Sequence, residues 1–216
     1  LMKKIDLVSS CVEAMKRSAG KIPVTVKSRI GVDDQNPDEV LPEFITKVAN
    51  SGCSVFIIHA RKALLQGLSP KDNRTIPPLQ YPLVYEMQKN FPGLDIILNG
   101  GLTELKEMKS CVKNRVAGVM IGREAYENPS LLLNVDNEIF DQKEKVRSMK
   151  DAVRNMIEYC DREKAEGTEI KGILKHLKGA FKGQANSKEF KRVLFCNETT
   201  DSEKLERLSN LVPIYC

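Results

Sequence analysis

No run in this sequence is apolar enough over a sufficient length to cross a bilayer as a helix, and no charged-then-apolar leader opens it. The chain instead begins at Leu1 already in helix periodicity, as expected of a sequence whose natural amino terminus lies further upstream. Metal-ligand spacing is missing too. The six cysteines (Cys11, Cys53, Cys111, Cys160, Cys196 and Cys216) are scattered, with no C-x-x-C pair and no His at ligand distance. They read as isolated reduced thiols of an intracellular, cytoplasmic protein with no metal site. Internal repeats and low-complexity tracts are absent. Charge of one sign is in small excess only: a net +5 does not by itself demand a polyanionic partner, so its distribution carries the information. What remains is an ordinary soluble composition, 41% hydrophobic and 29% charged over 216 residues, enough for one large domain or two smaller ones.

Apolar residues Ile5, Val8, Val12 and Met15 recur at helical spacing. A β-branched run, Val24-Thr25-Val26, predicts a buried strand that ends in Lys27-Ser28-Arg29-Ile30-Gly31. From about Pro42 a helix buries Phe44, Ile45 and Val48 and stops at Gly52. Val55–Ile58 predicts a second strand ending at His59. After a long loop comes a helix with Val84, Met87 and Phe91, and then a third strand, Ile96–Leu98, ending in Asn99-Gly100-Gly101. Thr103 can cap a helix carrying Leu105, Met108 and Val112. Gly118–Ile121 predicts the fourth strand, ending in Gly122-Arg123. Strands this continuously apolar are covered on both faces and belong to a parallel sheet. Four strand-helix units make half of a TIM (β/α)8 barrel, which needs about 250 residues when complete. An open doubly wound sheet fits the same pattern, and periodicity leaves that choice open.

Beyond about Leu133 the strand signals stop. Val146, Met149, Val153, Met156 and Cys160 form one helical stripe. Ile173, Leu174, Leu177 and Phe181 follow, then Phe190 with Val193 and Leu194, then Leu205, Leu208 and Leu211. The expected organisation is therefore an α/β domain over 1–133 and an all-α bundle over 134–216, with a linker around Asn134 to Lys145.

Ligands of parallel α/β folds collect at the carboxyl ends of the strands, which here carry Lys27 and Arg29, His59 and Arg61, Asn99-Gly100-Gly101, and Gly122-Arg123. Glycine admits backbone amides close to an anion, and the helix start that follows favours negative charge. Either glycine motif alone is no more than a turn. Four successive strand ends of this kind point to a ligand site, and if the last two are the final strands of a barrel the ligand bears a phosphate. The loop from Ala60 to Pro82 is longer than a structural connection needs, and it sets Arg61, Lys62, Lys71 and Arg74 against one acid, Asp72. Between Ile170 and Arg192 there are seven Lys or Arg and one acid, Glu189. Lys171, Lys175, Lys178 and Lys182 fall at helical spacing, with Lys188, Lys191 and Arg192 beyond them. This basic stretch suits a phosphate backbone or a solvated surface.

The segments Val24–Gly31, Ile57–Ala63 (Ile-Ile-His-Ala-Arg-Lys-Ala), Gly67–Lys71 (Gly-Leu-Ser-Pro-Lys), Asn73-Arg74 and Ile76–Leu79 resemble tRNA-dihydrouridine synthases of the A type. Asn99-Gly100-Gly101 and Gly122–Tyr126 extend the match. The resemblance is dense from Leu1 to about Leu132 and thinner beyond. It implies an FMN-binding eightfold barrel followed by a helical tRNA-binding domain, a monomer using NADPH to reduce D-loop uridines. It also implies FMN contacts from Lys27, His59, Asn99, Gly100, Gly101, Gly122 and Arg123, and tRNA contacts from Arg61, Lys71, Arg74, Lys188 and Lys191. The family's proton-donating cysteine would sit just before Leu1, so the resemblance implies a carboxy-terminal portion, without a catalytic residue of its own and inactive alone. Two other readings compete: a different FMN- or phosphate-binding barrel acting on a small molecule, and a non-catalytic RNA-binding module.

Overall fold

The computed structural model describes residues 1–114, 116–142 and 148–214, and the chain divides into two compact units, Leu1–Ile121 and Gly122–Cys216. The first unit runs α1 (Ile5–Ala19), β1 (Val26–Arg29), α2 (Pro37–Asn50), β2 (Val55–His59), a short 3-10 turn (Asp72–Arg74), α3 (Tyr81–Asn90), β3 (Asp95–Asn99), α4 (Leu105–Asn114) and β4 (Gly118–Met120). The strands form one parallel sheet in the order β1-β2-β3-β4. A doubly wound sheet reverses its strand order at a switch point, and these four strands contain no such reversal.

Two element boundaries differ from the sequence reading. The helix α2 begins at Pro37 rather than near Pro42, because Asn36 accepts from the Asp38 amide at 3.2 Å and Pro37 sits where its fixed φ starts a helix. Pro42 is carried one turn inside. The strand β1 begins at Val26 and takes in Lys27, Ser28 and Arg29. Its limits follow the pairing with β2 rather than the β-branched run, and the basic residues thereby become members of the ladder.

Buried and more open residues alternate along β2 and β3. Phe56, Ile58, Ile96 and Leu98 are fully buried, as are Leu41, Phe44, Ile45 and Val48 of α2, Val84 of α3 and Met108 of α4, the last two nearly or completely. Each such side chain stabilises the fold by about 1.5–3 kcal/mol relative to exposure. Cys53 and Cys111 are buried in this unit and Cys11 is exposed.

The second unit contains α5 (Arg123–Glu127), a 3-10 segment (Pro129–Asn134), α6 (Val135–Glu138), α7 (Met149–Ala165), α8 (Lys171–Leu174) with a 3-10 turn (Lys175–Gly179), α9 (Ser187–Leu194), α10 (Asp201–Leu211) and a last 3-10 turn (Val212–Ile214). Ser148 and Asp151 form a capping box at the start of α7, and Thr200 with Glu203 does the same for α10. The core joins Met149, Val153, Ile157 and Cys160 to Leu174, Leu177, Phe181, Phe190, Leu205 and Leu208, with Met156 and Leu211 partly buried against it. Val146, Cys216 and part of the expected linker lie outside the described residues. Among those described, no helix is long and apolar enough to cross a membrane.

Along the chain the two compact units divide between Ile121 and Gly122. Residues 122–134 pack within the helical unit: the Tyr126 hydroxyl donates to the Lys175 carbonyl at 3.1 Å and its ring meets His176 edge-on at 5.7 Å. Gly179 lies against the Tyr126 carbonyl and Pro129. The expected continuous helix over Lys171–Lys182 is also corrected. Its α-turns give way to 3-10 geometry at Lys175, Ala180 is extended (ψ 141°), and Phe181 adopts a left-handed φ of +59°. Glycines 172 and 179 weaken the helix. The inverted Phe181 places its fully buried ring 5.1 Å from Phe190 in a T-shaped pair.

Candidate functional site

Parallel register decides which side chains share a face. Lys27 aligns with Ile57, and Ile57 with Ile97. Arg29 aligns with His59, His59 with Asn99, and Asn99 with Met120. These two rows alternate with the buried rows of Phe56–Ile96 and Ile58–Leu98, so they occupy the opposite face of the sheet. Lys27, Arg29, His59 and Asn99 are thereby brought together on one face toward the carboxyl ends of the strands, and neither row contains a carboxylate.

The electrostatics follow from that grouping. Lys27 remains open to solvent by area, yet enough protein surrounds it that desolvation, then the charge of Arg29, holds its ammonium below the ordinary lysine value. Desolvation lowers Arg29 as well, followed by Arg74 and Arg61. Arg29 donates to the Lys62 and Asn73 carbonyls at 3.1 and 2.9 Å, which binds the loop after β2 to the end of β1. The Met2 sulfur accepts from the Arg29 amide at 3.4 Å and holds the first residues of the chain at the same strand end.

The turn after β3 is glycine by necessity. Gly100 has φ +113°, and a Cβ there would stand 2.5 Å from His59 Cδ2. Gly101 has φ +74°, and its Cβ would meet Leu79 Cδ1 at 2.6 Å. The Tyr81 hydroxyl donates to the Gly100 carbonyl at 2.5 Å, the Ala60 amide to the Asn99 carbonyl at 2.9 Å, and the Asn99 side-chain amide to the Met120 carbonyl at 2.7 Å. Burial above all pushes the Tyr81 phenol up to about 12. In the other unit, Gly122 has an ordinary φ of −124°, and among the described residues nothing lies within 4 Å of where its Cβ would be. Arg123 is the first residue of α5.

The long loop is organised from within. The Asn73 side chain accepts from the Leu64 amide at 2.8 Å and donates to the Leu64 carbonyl at 2.6 Å. Ser69 donates to Asp72 at 2.7 Å, and Arg61 donates to the Thr75 and Pro77 carbonyls. Lys71 and Arg74 flank the 3-10 turn, exposed to solvent. Arg61, expected beside them as an RNA contact, is half-buried with its guanidinium turned into the loop.

In the helical unit, Lys188 and Lys191 are one turn apart on α9, away from its buried Phe190, Val193 and Leu194. Arg192 pairs with Glu189 at 2.7 Å, and Lys182 lies 3.7 Å from Glu124. The stripe expected over Lys171, Lys175, Lys178 and Lys182 is interrupted before Lys182, because the helical run ends at Gly179. Sequence reasoning gave no role to Tyr81, Leu79 or Asn73, although Asn73 and Leu79 lie in segments that carry the resemblance. Only Asn73 had a signal, a short polar side chain able to satisfy loop backbone.

A family model described as dihydrouridine synthase (Dus) matches residues 1–213. The tRNA-dihydrouridine(20/20a) synthase of Pasteurella multocida is 46% identical over 194 residues, 90% of this chain and 59% of that protein. That of Escherichia coli K12 is 47% identical over 195 residues, covering 90% and 56%, and that of Salmonella typhi 44% over 216 residues, covering 98% and 64%. The chain thus spans somewhat over half the length of the curated relatives it matches.

Proposed function

The chain belongs to the dihydrouridine synthase family, and from that premise we propose that it serves a protein that reduces D-loop uridines of tRNA to 5,6-dihydrouridine with FMN and NADPH. The observation that carries this reading is the alignment of Arg29, His59 and Asn99 across three strands with Lys27 on the same face. The consecutive strand order supports taking the sheet as half of an eightfold barrel with this face inward.

The residues fit the cofactor. Lys27 and His59 offer donors to an electron-rich ring system. Asn99, Gly100 and Gly101 offer amides to a phosphate, and Gly122 and Arg123 are assigned to that phosphate by the family resemblance alone. Bound FMN supplies the hydride for one carbon of the uracil double bond. Lys71 and Arg74 touch tRNA near the target nucleotide, which must leave its stack to be reached. Lys188 and Lys191 hold the RNA backbone elsewhere, and Arg61 shapes the loop. The internal order of that loop favours this reading over a barrel acting on a small molecule.

The test uses the full-length protein. Among the described residues there is room for a methyl group at Gly122, so Gly122→Ala should lower flavin content more than melting temperature, and Arg123→Ala should lower flavin content with melting temperature unchanged. Full flavin retention in both variants would remove these residues from the phosphate site.

A further inference from the structure

We propose that Tyr81 is a positioning residue for the cofactor's phosphate, fixing the Gly100-Gly101 turn from the base of the loop that carries Lys71 and Arg74. The inference rests on the cofactor reading above and assigns a residue that reading does not include.

A carbonyl and the N–H of the next residue lie in one planar trans unit and point in opposite directions. Holding the Asn99 carbonyl therefore aims the Gly100 N–H, and holding the Gly100 carbonyl aims the Gly101 N–H. The first is held by the Ala60 amide at 2.9 Å and the second by the Tyr81 hydroxyl at 2.5 Å. Both holders belong to the two ends of the same loop, which the Gln80 amide closes onto the Ala60 carbonyl at 2.8 Å. Among the described residues, no carbonyl accepts from the Gly100 or Gly101 amide. The turn thus presents two donors, each directed by a bond on the far side of its own peptide plane.

Such control is needed because glycines at φ +113° and +74° resist a peptide flip weakly. Leu79, against Gly101, restrains the turn by contact but does not orient a carbonyl. The phenol, pushed up to about 12 chiefly by burial, keeps its proton as a donor throughout the neutral range.

The experiment compares FMN with riboflavin, which lacks the phosphate, on the full-length protein freed of flavin. The readout is the dissociation constant of riboflavin divided by that of FMN. Tyr81→Phe keeps the ring packing and removes the donor, so it should weaken FMN roughly three- to tenfold, as loss of one neutral hydrogen bond does, and leave riboflavin unchanged. Tyr85→Phe removes a hydroxyl 3.3 Å from the Cys111 sulfur, away from the turn, and should not move the ratio. Equal losses for both ligands in Tyr81→Phe, or no loss for either, would overturn the positioning role. Arg123→Ala, measured alongside, separates the two claims. A ratio lowered by Arg123→Ala but not by Tyr81→Phe sinks Tyr81 alone. One lowered by Tyr81→Phe alone sustains Tyr81 and removes Arg123. An unmoved ratio in both removes the phosphate from this turn altogether.

Discussion

The two units hold their polar residues by different means. In the sheet unit, Lys27, Arg29, His59 and Asn99 are placed by strand register, so none can turn to the other face without shifting a whole strand. In the helical unit, Lys188 and Lys191 project from an eight-residue helix whose apolar side alone is fixed. The glycines show the same contrast. Gly100 and Gly101 are required by the protein's own packing and backbone, whereas at Gly122 no described residue lies within 4 Å of where a Cβ would stand.

The largest effect expected from this contrast is at Gly100. Gly100→Ala forces a Cβ onto the His59 ring in a left-handed backbone, costing about 1–3 kcal/mol for the backbone and a similar amount for displacing the imidazole. Melting temperature and flavin content should fall together, whereas Gly122→Ala, with no packed neighbour to displace among the described residues, should cost far less melting temperature than flavin. Equal melting losses in the two variants would break the comparison.

A smaller effect is expected within the helical unit. Gly179 has no unusual φ, but its Cβ would press on the Tyr126 carbonyl and stand 2.7 Å from Pro129 Cδ. Gly179→Ala should destabilise by about 1–3 kcal/mol in a denaturant titration, through overpacking alone. An unchanged midpoint would show that residues 122–134 yield without cost, and their assignment to the helical unit would lose its physical reason.

Much of the sheet unit could be read in advance, because strand order and strand ends follow from apolar runs that alternate with helix periodicity. His59 and Asn99 were visible as polar residues ending such runs. The limits of β1 were not, since pairing with β2 extends it over Lys27–Arg29 against local propensity. Tyr81 was invisible for a different reason: its partner is a backbone carbonyl on another strand end, and no side-chain pattern encodes that meeting. In the helical unit the apolar positions were legible. The inversion at Phe181 was not, because left-handed backbone at an aromatic residue is imposed by the core it reaches.

The smallest effect on the fold, and the sharpest use of the comparison, concerns the basic residues. Lys188 is exposed and Lys191 half-buried on α9, while Lys71 and Arg74 sit on a loop held by Asn73 and Arg29. Replacing either pair by Ala should leave the fold's stability nearly unchanged, within about 0.5 kcal/mol. If all four meet tRNA phosphates, each lost contact should flatten the dependence of log affinity on log salt by roughly 0.7–0.9. The pairs should then part in a dihydrouridine assay on the full-length protein. Loss of Lys188 and Lys191 should be recovered at higher tRNA concentration, since it removes binding that does not change during the reaction. Loss of Lys71 and Arg74 should persist at saturating tRNA, because a misplaced uridine reacts slowly however much RNA is bound. Salt slopes unmoved in both double variants would make these residues a solvated surface. Identical kinetic behaviour in the two would show that the loop's internal order does not serve to place the substrate.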